Sequence, residues 1–308
     1  LRDYYHKWYR PDLQAIIVVG DIDEDQIERK IKALFGKIEM PNNAAVRIFY
    51  PVPDNKKMIL FTATDKEQPT VNFTLYMKRD VTPRQERGFW QPFADNYMTS
   101  ILRMAINDRL NELSRKADAP FISASVRDGN FFMASTKESF EVSGVLKENS
   151  IASGIQTIIG EVERARSLGI TEQELKRGKA ELLSYAVSGY NDRFKRSNRE
   201  LVEACVDNFL EEEPLIDPAV ELQLVQELDA KVTLEEVNKY MREVITNSNQ
   251  VVTLYGPEKK GFALPSKKDI EKLVLTAQKK RYAPYKEKDM ASELTPNLPA
   301  EGRIVAEK

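Results

Sequence analysis

Imidazole and thiol groups, which serve as metal ligands and nucleophiles, are scarce in this sequence. The chain has one histidine, His6, and one cysteine, Cys205. His6 lies among aromatic and charged residues at the end of a predicted helix, where an ordinary surface histidine is expected rather than a metal ligand. Cys205 shares a helical spacing with Leu201 and Phe209, which predicts a buried structural thiol rather than a nucleophile. The three glutamates at 211–213 predict a solvated helix end rather than a metal or acid–base site.

The motifs and the composition of the sequence also argue against nucleotide binding, serine-hydrolase chemistry, nucleic-acid binding and a membrane span. The sequence contains no G-x-x-x-x-G-K, G-x-G-x-x-G or G-x-S-x-G. Its 308 residues, 42% hydrophobic and 31% charged, predict a globular protein of about two domains. The interspersed charges and net charge of -2 give no nucleic-acid footprint. No apolar run approaches the roughly 20 residues of a membrane-spanning helix, and a single cysteine excludes an internal disulfide.

Two similar units lie near the two ends of the chain. The apolar run from Ala15 to Val19 ends at Gly20 and predicts a buried strand, and a helix with Asp23 as its N-cap follows. A second strand is predicted around Val251, and the helix after it has Ser266 as its N-cap. The repeat indicates either a duplicated domain or two unrelated strand–glycine–helix units, and it leaves both readings open.

The region between these units predicts strands first and helices afterwards. A long helix follows Pro92, and a hairpin is predicted with its turn at Asp128-Gly129-Asn130. The predicted strands are 57–64, 70–77, 121–127, 131–137 and 141–146, and the later predicted helices are 151–167, 171–188, 194–209, 220–227 and 233–245. Segregated strands and helices of this kind predict an α+β fold with a largely antiparallel sheet.

The order of these elements and three local motifs resemble the pitrilysin/insulinase family of zinc peptidases. Tyr-Tyr-His-Lys-Trp-Tyr-Arg-Pro at 4–11, followed by Ile-Ile-Val-Val-Gly-Asp at 16–21, resembles the segment that closes the first domain of those enzymes. The sequence at 102–113 resembles the long helix of their second domain. Gly-Ile-Thr-Glu-Gln-Glu-Leu at 169–175 resembles the family's G-(I/P)-T-x-x-E-L helix start.

The resemblance implies a metallopeptidase-like duplicated α+β domain, with helices packed on one face of a largely antiparallel sheet. Residues 1–48 would be the C-terminal piece of an incomplete first, catalytic-type domain. Residues 49–280 would be the whole second, inactive peptidase-like domain, and residues 281–308 a linker to a missing C-terminal half. We therefore expect this sequence to be a piece of a longer protein.

The resemblance assigns no catalytic, substrate-binding or metal residue to this chain. The family's inverted zinc motif, His-x-x-Glu-His with a downstream Glu, needs two imidazoles, and this chain has one histidine. The corresponding positions fall on Asn96, Thr99 and Ser100, which lack the imidazole, thiolate and carboxylate groups that bind zinc. The Arg and Tyr with which family members hold substrate fall on Ser114 and Phe121, which lack the guanidinium and the phenol.

The resemblance implies that the full-length parent is a zinc-dependent endopeptidase, which cleaves peptides or unfolded polypeptides in a closed chamber. This chain would supply a non-catalytic chamber domain, bind no zinc, be inactive alone, and have the missing N- and C-terminal domains as its partners. A periplasmic or other extracytoplasmic location is favoured for a bacterial source. The alternative is a non-peptidase scaffold of the same fold, like the core subunits of respiratory complexes. A His-x-x-Glu-His motif upstream would favour the peptidase.

Overall fold

A five-stranded sheet forms the centre of the structure, a computed structural model that describes residues 1–287. The strand order is β1-β5-β2-β4-β3, with β1 parallel to β5 and the other three pairs antiparallel. The largely antiparallel α+β fold is therefore confirmed. The strands are β1 (Ile59–Asp65), β2 (Val71–Arg79), β3 (Phe121–Asn130), β4 (Glu138–Leu146) and β5 (Gln250–Pro257).

Helices precede, interrupt and follow the sheet along the chain. They are α1 (Arg2–Trp8), α2 (Glu24–Phe35), α3 (Trp90–Ser114), α4 (Ile151–Leu168), α5 (Glu172–Asn191), α6 (Asn198–Glu211), α7 (Pro218–Lys231), α8 (Leu234–Val244) and α9 (Lys267–Lys279). Thr171 and Thr233 begin their helices with reciprocal capping boxes, as their spacing to the following glutamates predicts. Asp23 and Ser266 also cap as predicted, each accepting from the third backbone N–H of its helix.

One face of the sheet is buried against the helical layer. In β2 the alternate residues Val71, Phe73 and Leu75 are at most 2% exposed, whereas Asn72 and Thr74 between them remain half-buried. This alternation places the core on a single side of the strands. The long helix α3 packs against β3 and also against α5, while α4 packs against β4 and α9. Helices on one face of the sheet are therefore confirmed.

The predicted strand from Ala15 to Val19 is wrong. These residues lie between a short 3-10 turn and α2, without secondary structure, and none of the sheet's five strands pairs with them. Ile16 and Val18 are 48% and 45% exposed. An apolar β-branched run favours extended backbone, but a strand also needs a neighbour that pairs with its N–H and C=O groups.

The predicted hairpin is also wrong in its register. Strand β3 continues through Asp128-Gly129-Asn130, where Gly129 pairs with Ser139 of β4. The turn is at 131–137, which was predicted as a strand, and it contains Phe132 in the left-handed region with φ 53°. Aromatic packing and ion pairing outweigh the local turn signal here. Phe131 and Phe132 pack on Tyr76, with ring centroids 5.4 and 4.9 Å away, and Arg79 of β2 holds Asp128 within the sheet at 2.6 Å.

The segment before β1 is fixed to the sheet by Asn249, which adopts the left-handed backbone (φ 54°) that asparagine tolerates best among residues with a Cβ. The Asn249 side-chain oxygen accepts from the Asn55 backbone N–H at 3.0 Å, and its amide donates to Asp54 at 2.6 Å. The Lys137 ammonium reaches the same Asp54 at 2.7 Å. This network fixes the point at which the N-terminal segment joins the sheet.

Candidate functional site

The three positions that correspond to the residues of the family's His-x-x-Glu-His motif lie on α3. Asn96 is exposed, and its backbone carbonyl accepts from the Ser100 hydroxyl at 2.9 Å. Thr99 is buried, and its hydroxyl donates to the Tyr240 hydroxyl on α8 at 3.1 Å. Within residues 1–287, no three His, Cys, Asp or Glu side chains form a group that could hold a metal ion. Of the three side chains, Thr99 therefore joins α3 to α8.

The other candidate residues lie on α1, for His6, and on α6 and just after it, for Cys205 and the glutamates at 211–213. His6 is exposed on α1, and its ring lies 5.8 Å from that of Tyr5. Cys205 is half-buried on α6 rather than buried as predicted, because one side of this helix faces an open groove that Cys205 helps to line. The acidic run at 211–213 makes ion pairs with Arg84 and Arg87, at 3.2 Å for Glu211 and 2.7 Å for Glu213.

Ser114 and Phe121, which correspond to the substrate-holding pair, have different surroundings. Ser114 is the last residue of α3, and its hydroxyl donates to the Asn111 carbonyl at 2.8 Å. Phe121 is the first residue of β3 and is 1% exposed, with its ring in the main core.

The strongest polar constellation in the described residues surrounds Arg109, a side chain that is 1% exposed. Glu174 accepts from its guanidinium twice, at 2.6 Å each, and the Gly169 carbonyl accepts at 3.3 Å. Glu161 lies 3.5 Å from the remaining Nη1 nitrogen and also pairs with Arg164 at 2.8 Å. We call these four charged side chains the Arg109 cluster. It joins α3, α4 and α5.

The cluster was missed by the sequence analysis, although a signal was present. Arg109 lies on the apolar stripe of α3, three residues after Ile106 and four before Leu113, where a charge requires a buried partner. Burial disfavours the charge of Arg109, but the hydrogen bonds and charge of Glu174 outweigh it and raise the pKa of Arg109. For Glu161, burial raises the pKa, and the positive charges of Arg164 and Arg109, which lower it, only partly offset the effect of burial.

The raised pKa of Glu161 gives the folding stability a pH dependence. In the folded state Glu161 binds its proton at a higher pH than in the unfolded chain, where the pKa of a glutamate is about 4.3. The contribution of Glu161 to the free energy of unfolding is therefore fully present below the unfolded-state pKa, and it is lost as the pH rises through the folded-state pKa. We expect wild type to gain stability relative to Glu161→Gln as the pH is lowered from about 7 towards 4.5.

Urea unfolding of both proteins at several pH values measures this difference. Glu203→Gln provides the control, because Glu203 forms an exposed pair with Arg199 on α6. A difference between wild type and Glu161→Gln that stays constant with pH would contradict the assignment.

A surface groove of about 1340 Å³ lies between the end of α5, α6 and the segment before α7. Its lining combines apolar side chains such as Leu201, Leu215 and the 86% exposed Phe194 with both acidic and basic residues. The groove can receive an apolar side chain. In the part of the chain that the structure describes, the charged side chains of the Arg109 cluster hold α3, α4 and α5 together, which is a positioning role rather than acid–base chemistry.

This chain is similar to a known protein family and to two curated proteins. The family described as the peptidase M16 inactive domain matches residues 1–182. A zinc protease PQQL-like protein of Arabidopsis thaliana is 22% identical over 305 residues, which are 99% of this chain and 28% of that protein. The probable zinc protease PqqL of Escherichia coli is 22% identical over 283 residues, which are 92% of this chain and 29% of that protein.

The crystal structure of the first half of the periplasmic protease PqqL from Escherichia coli has the same fold. It superposes with a TM-score of 0.78 at 21% identity, covering 93% of this chain and 60% of that one. This chain spans less than a third of the length of the Arabidopsis and Escherichia coli relatives described above. Among residues 1–287, no helix combines the length and apolar character needed to cross a bilayer.

Proposed function

Because the chain belongs to the peptidase M16 inactive-domain family, we propose that it supplies a non-catalytic chamber domain of a zinc-dependent endopeptidase. The relatives named as zinc proteases support a peptidase parent. The observation that carries the non-catalytic role is on α3. Where the zinc motif His-x-x-Glu-His is expected, the chain has Asn96, Thr99 and Ser100, and the Thr99 hydroxyl donates to Tyr240.

These residues do not fit a catalytic zinc site. Such a site takes three ligands from imidazole, thiolate and carboxylate groups and keeps one open position. The single histidine of this chain is exposed and belongs to α1, not to α3. In our proposal the zinc and its ligands belong to a part of the parent outside this sequence, and the residues present here shape the space around the substrate.

We propose the same division of the chain that the resemblance implies. Residues 1–48 would complete a first, catalytic-type domain, 49–280 would form the inactive domain, and 281–308 would lead to a further half. The apolar residues of α2 support this division, because Leu34 and Phe35 are 71% and 47% exposed. Such a face normally packs against a partner. Residues 288–308 lie outside the described part of the chain.

Deleting residues 1–48 is expected to leave the remaining domain folded. The core cluster is drawn from Val71 onward, and the network around Asp54, Asn55 and Asn249 stays intact in the shortened chain. Circular dichroism and urea unfolding should show one cooperative transition whose free energy lies within about 1 kcal/mol of the starting chain. Loss of cooperative unfolding would show that residues 1–48 belong to the same folding unit.

The substrate we propose is a peptide or an unfolded polypeptide segment, enclosed by this domain and the other domains of the parent. We propose a periplasmic or other extracytoplasmic location for a bacterial source, supported by the solved relative that is named a periplasmic protease. Neither a nucleic acid nor a membrane enters the proposal.

The experiment compares the parent protein with this 308-residue chain by itself. Each is dialysed, its zinc content is measured, and cleavage of a quenched fluorescent peptide is followed with and without a chelator. We expect about one zinc per parent chain, cleavage that the chelator abolishes, and neither property in the isolated chain. A parent that neither retains zinc nor cleaves the peptide would overturn the peptidase proposal and favour the scaffold alternative.

A further inference from the structure

The segment that follows Lys280, the C-cap residue of α9, packs back over the helical layer. Residues 281–287 form neither helix nor strand, and three of their side chains contact elements that are distant in sequence. We call this segment the strap. Its contacts reach α4 through Tyr282, α3 through Tyr285 and α5 through Glu287.

Tyr282 occupies a place that a glycine leaves open. Its hydroxyl donates to the Ala277 carbonyl at 2.8 Å, and its ring lies against Gly160 in the interior of α4. A Cβ at position 160 would lie 2.8 Å from the Tyr282 hydroxyl oxygen and 3.0 and 3.1 Å from two ring carbons. Real Cβ atoms do not show a contact of 2.8 Å, so a side chain at position 160 requires the Tyr282 ring to shift. Glycine costs about 1 kcal/mol relative to alanine in a helix, and this close approach gives it a function.

Tyr285 forms one wall of the Arg109 cluster. The centre of its ring lies 4.2 Å from the guanidinium carbon of Arg109, a cation–π contact with a cation that is 1% exposed. Its hydroxyl donates to Glu112 at 3.0 Å. Two residues later Glu287 pairs with Arg177 at 2.9 Å. The side chain of Tyr285 therefore keeps water from an ion pair that is otherwise enclosed by α3, α4 and α5.

We propose that the strap is a two-state device, which closes over the Arg109 cluster and holds Glu287 beside α5. Release of Tyr285 would expose the Arg109 guanidinium to water, so closure of the strap and burial of the cluster are the same event. This inference rests on contacts within the chain and does not depend on the proposed function.

Two glycine-to-alanine variants of the 308-residue chain test the strap. Gly160→Ala should displace Tyr282, whereas Gly189→Ala in the last turn of α5 meets nothing within 4 Å and also replaces a helical glycine. Limited trypsin digestion followed by mass spectrometry measures cleavage after Arg281 and Lys286, and the exposed turn at Lys260 provides an internal reference. Cleavage of a transiently released segment tracks the population of the released state.

We expect Gly160→Ala to speed cleavage after Arg281 and Lys286 about tenfold relative to the Lys260 site, with Gly189→Ala indistinguishable from wild type. Tyr285→Ala should have a similar effect, and Tyr285→Phe a smaller one, because it keeps the ring over Arg109 and loses only the bond to Glu112. The tyrosine variants lie in the strap and keep the test valid if Gly160→Ala does not fold. Equal cleavage in folded wild type, Gly160→Ala and Tyr285→Ala would overturn the proposal.

Discussion

Replacing Arg109 with alanine is expected to lower the free energy of unfolding by about 3–5 kcal/mol. The substitution removes a guanidinium that is 1% exposed and leaves Glu174 buried without its bidentate partner. Glu161 would also lose one of its two cations, although Arg164 remains 2.8 Å away. A buried carboxylate without a partner costs far more than an exposed one, because water no longer solvates it.

Urea unfolding followed by circular dichroism measures this loss. The matched control is Arg199→Ala, because Arg199 is 86% exposed and pairs with Glu203 on the surface of α6 at 2.8 Å, so its loss should cost under about 0.5 kcal/mol. The double variant Arg109→Met/Glu174→Met should recover much of the loss, since it removes both partners together. A cost below about 1 kcal/mol for Arg109→Ala would show that the cluster contributes little to the fold.

Local elements of this fold were predictable, because their signals lie within a few residues. The capping box from Thr171 to Glu174 and the apolar spacing of α3 identify helices without reference to the rest of the chain. The run from Ala15 to Val19 shows the limit. Its composition favours a strand, but a strand exists only with a neighbour, and the neighbour is a property of the whole fold.

The Arg109 cluster depended on partners that sequence reasoning could not supply. Glu174 was recognised for its capping role, and its carboxylate does accept from the Thr171 backbone N–H at 2.8 Å. The same carboxylate also accepts from Arg109, 65 residues earlier in the chain. Spacing within one helix gives no information on such a contact. The absence of zinc-binding side chains at Asn96, Thr99 and Ser100 was visible in residue type alone, whereas the bond from Thr99 to Tyr240 required the structure.

Phe121→Ala is expected to lower the free energy of unfolding by about 3–5 kcal/mol. Phe121 begins β3 and is 1% exposed within the main core, so its removal leaves a cavity as well as losing apolar contact. The neighbouring residue supplies a matched control on the same strand, because Ile122 is 58% exposed. Ile122→Ala should cost under about 1 kcal/mol. Urea unfolding of the two variants and wild type gives the comparison.

The same pair of variants separates packing from substrate binding in the parent protein. A ring that fills the core acts on peptide cleavage only through folding, so Phe121→Ala should lose activity in parallel with its loss of folded protein. At temperatures where the variant is fully folded, its KM should match that of wild type. Full stability together with a strongly raised KM would instead identify Phe121 as a residue that touches substrate. The core position of its ring in β3 argues for the first result.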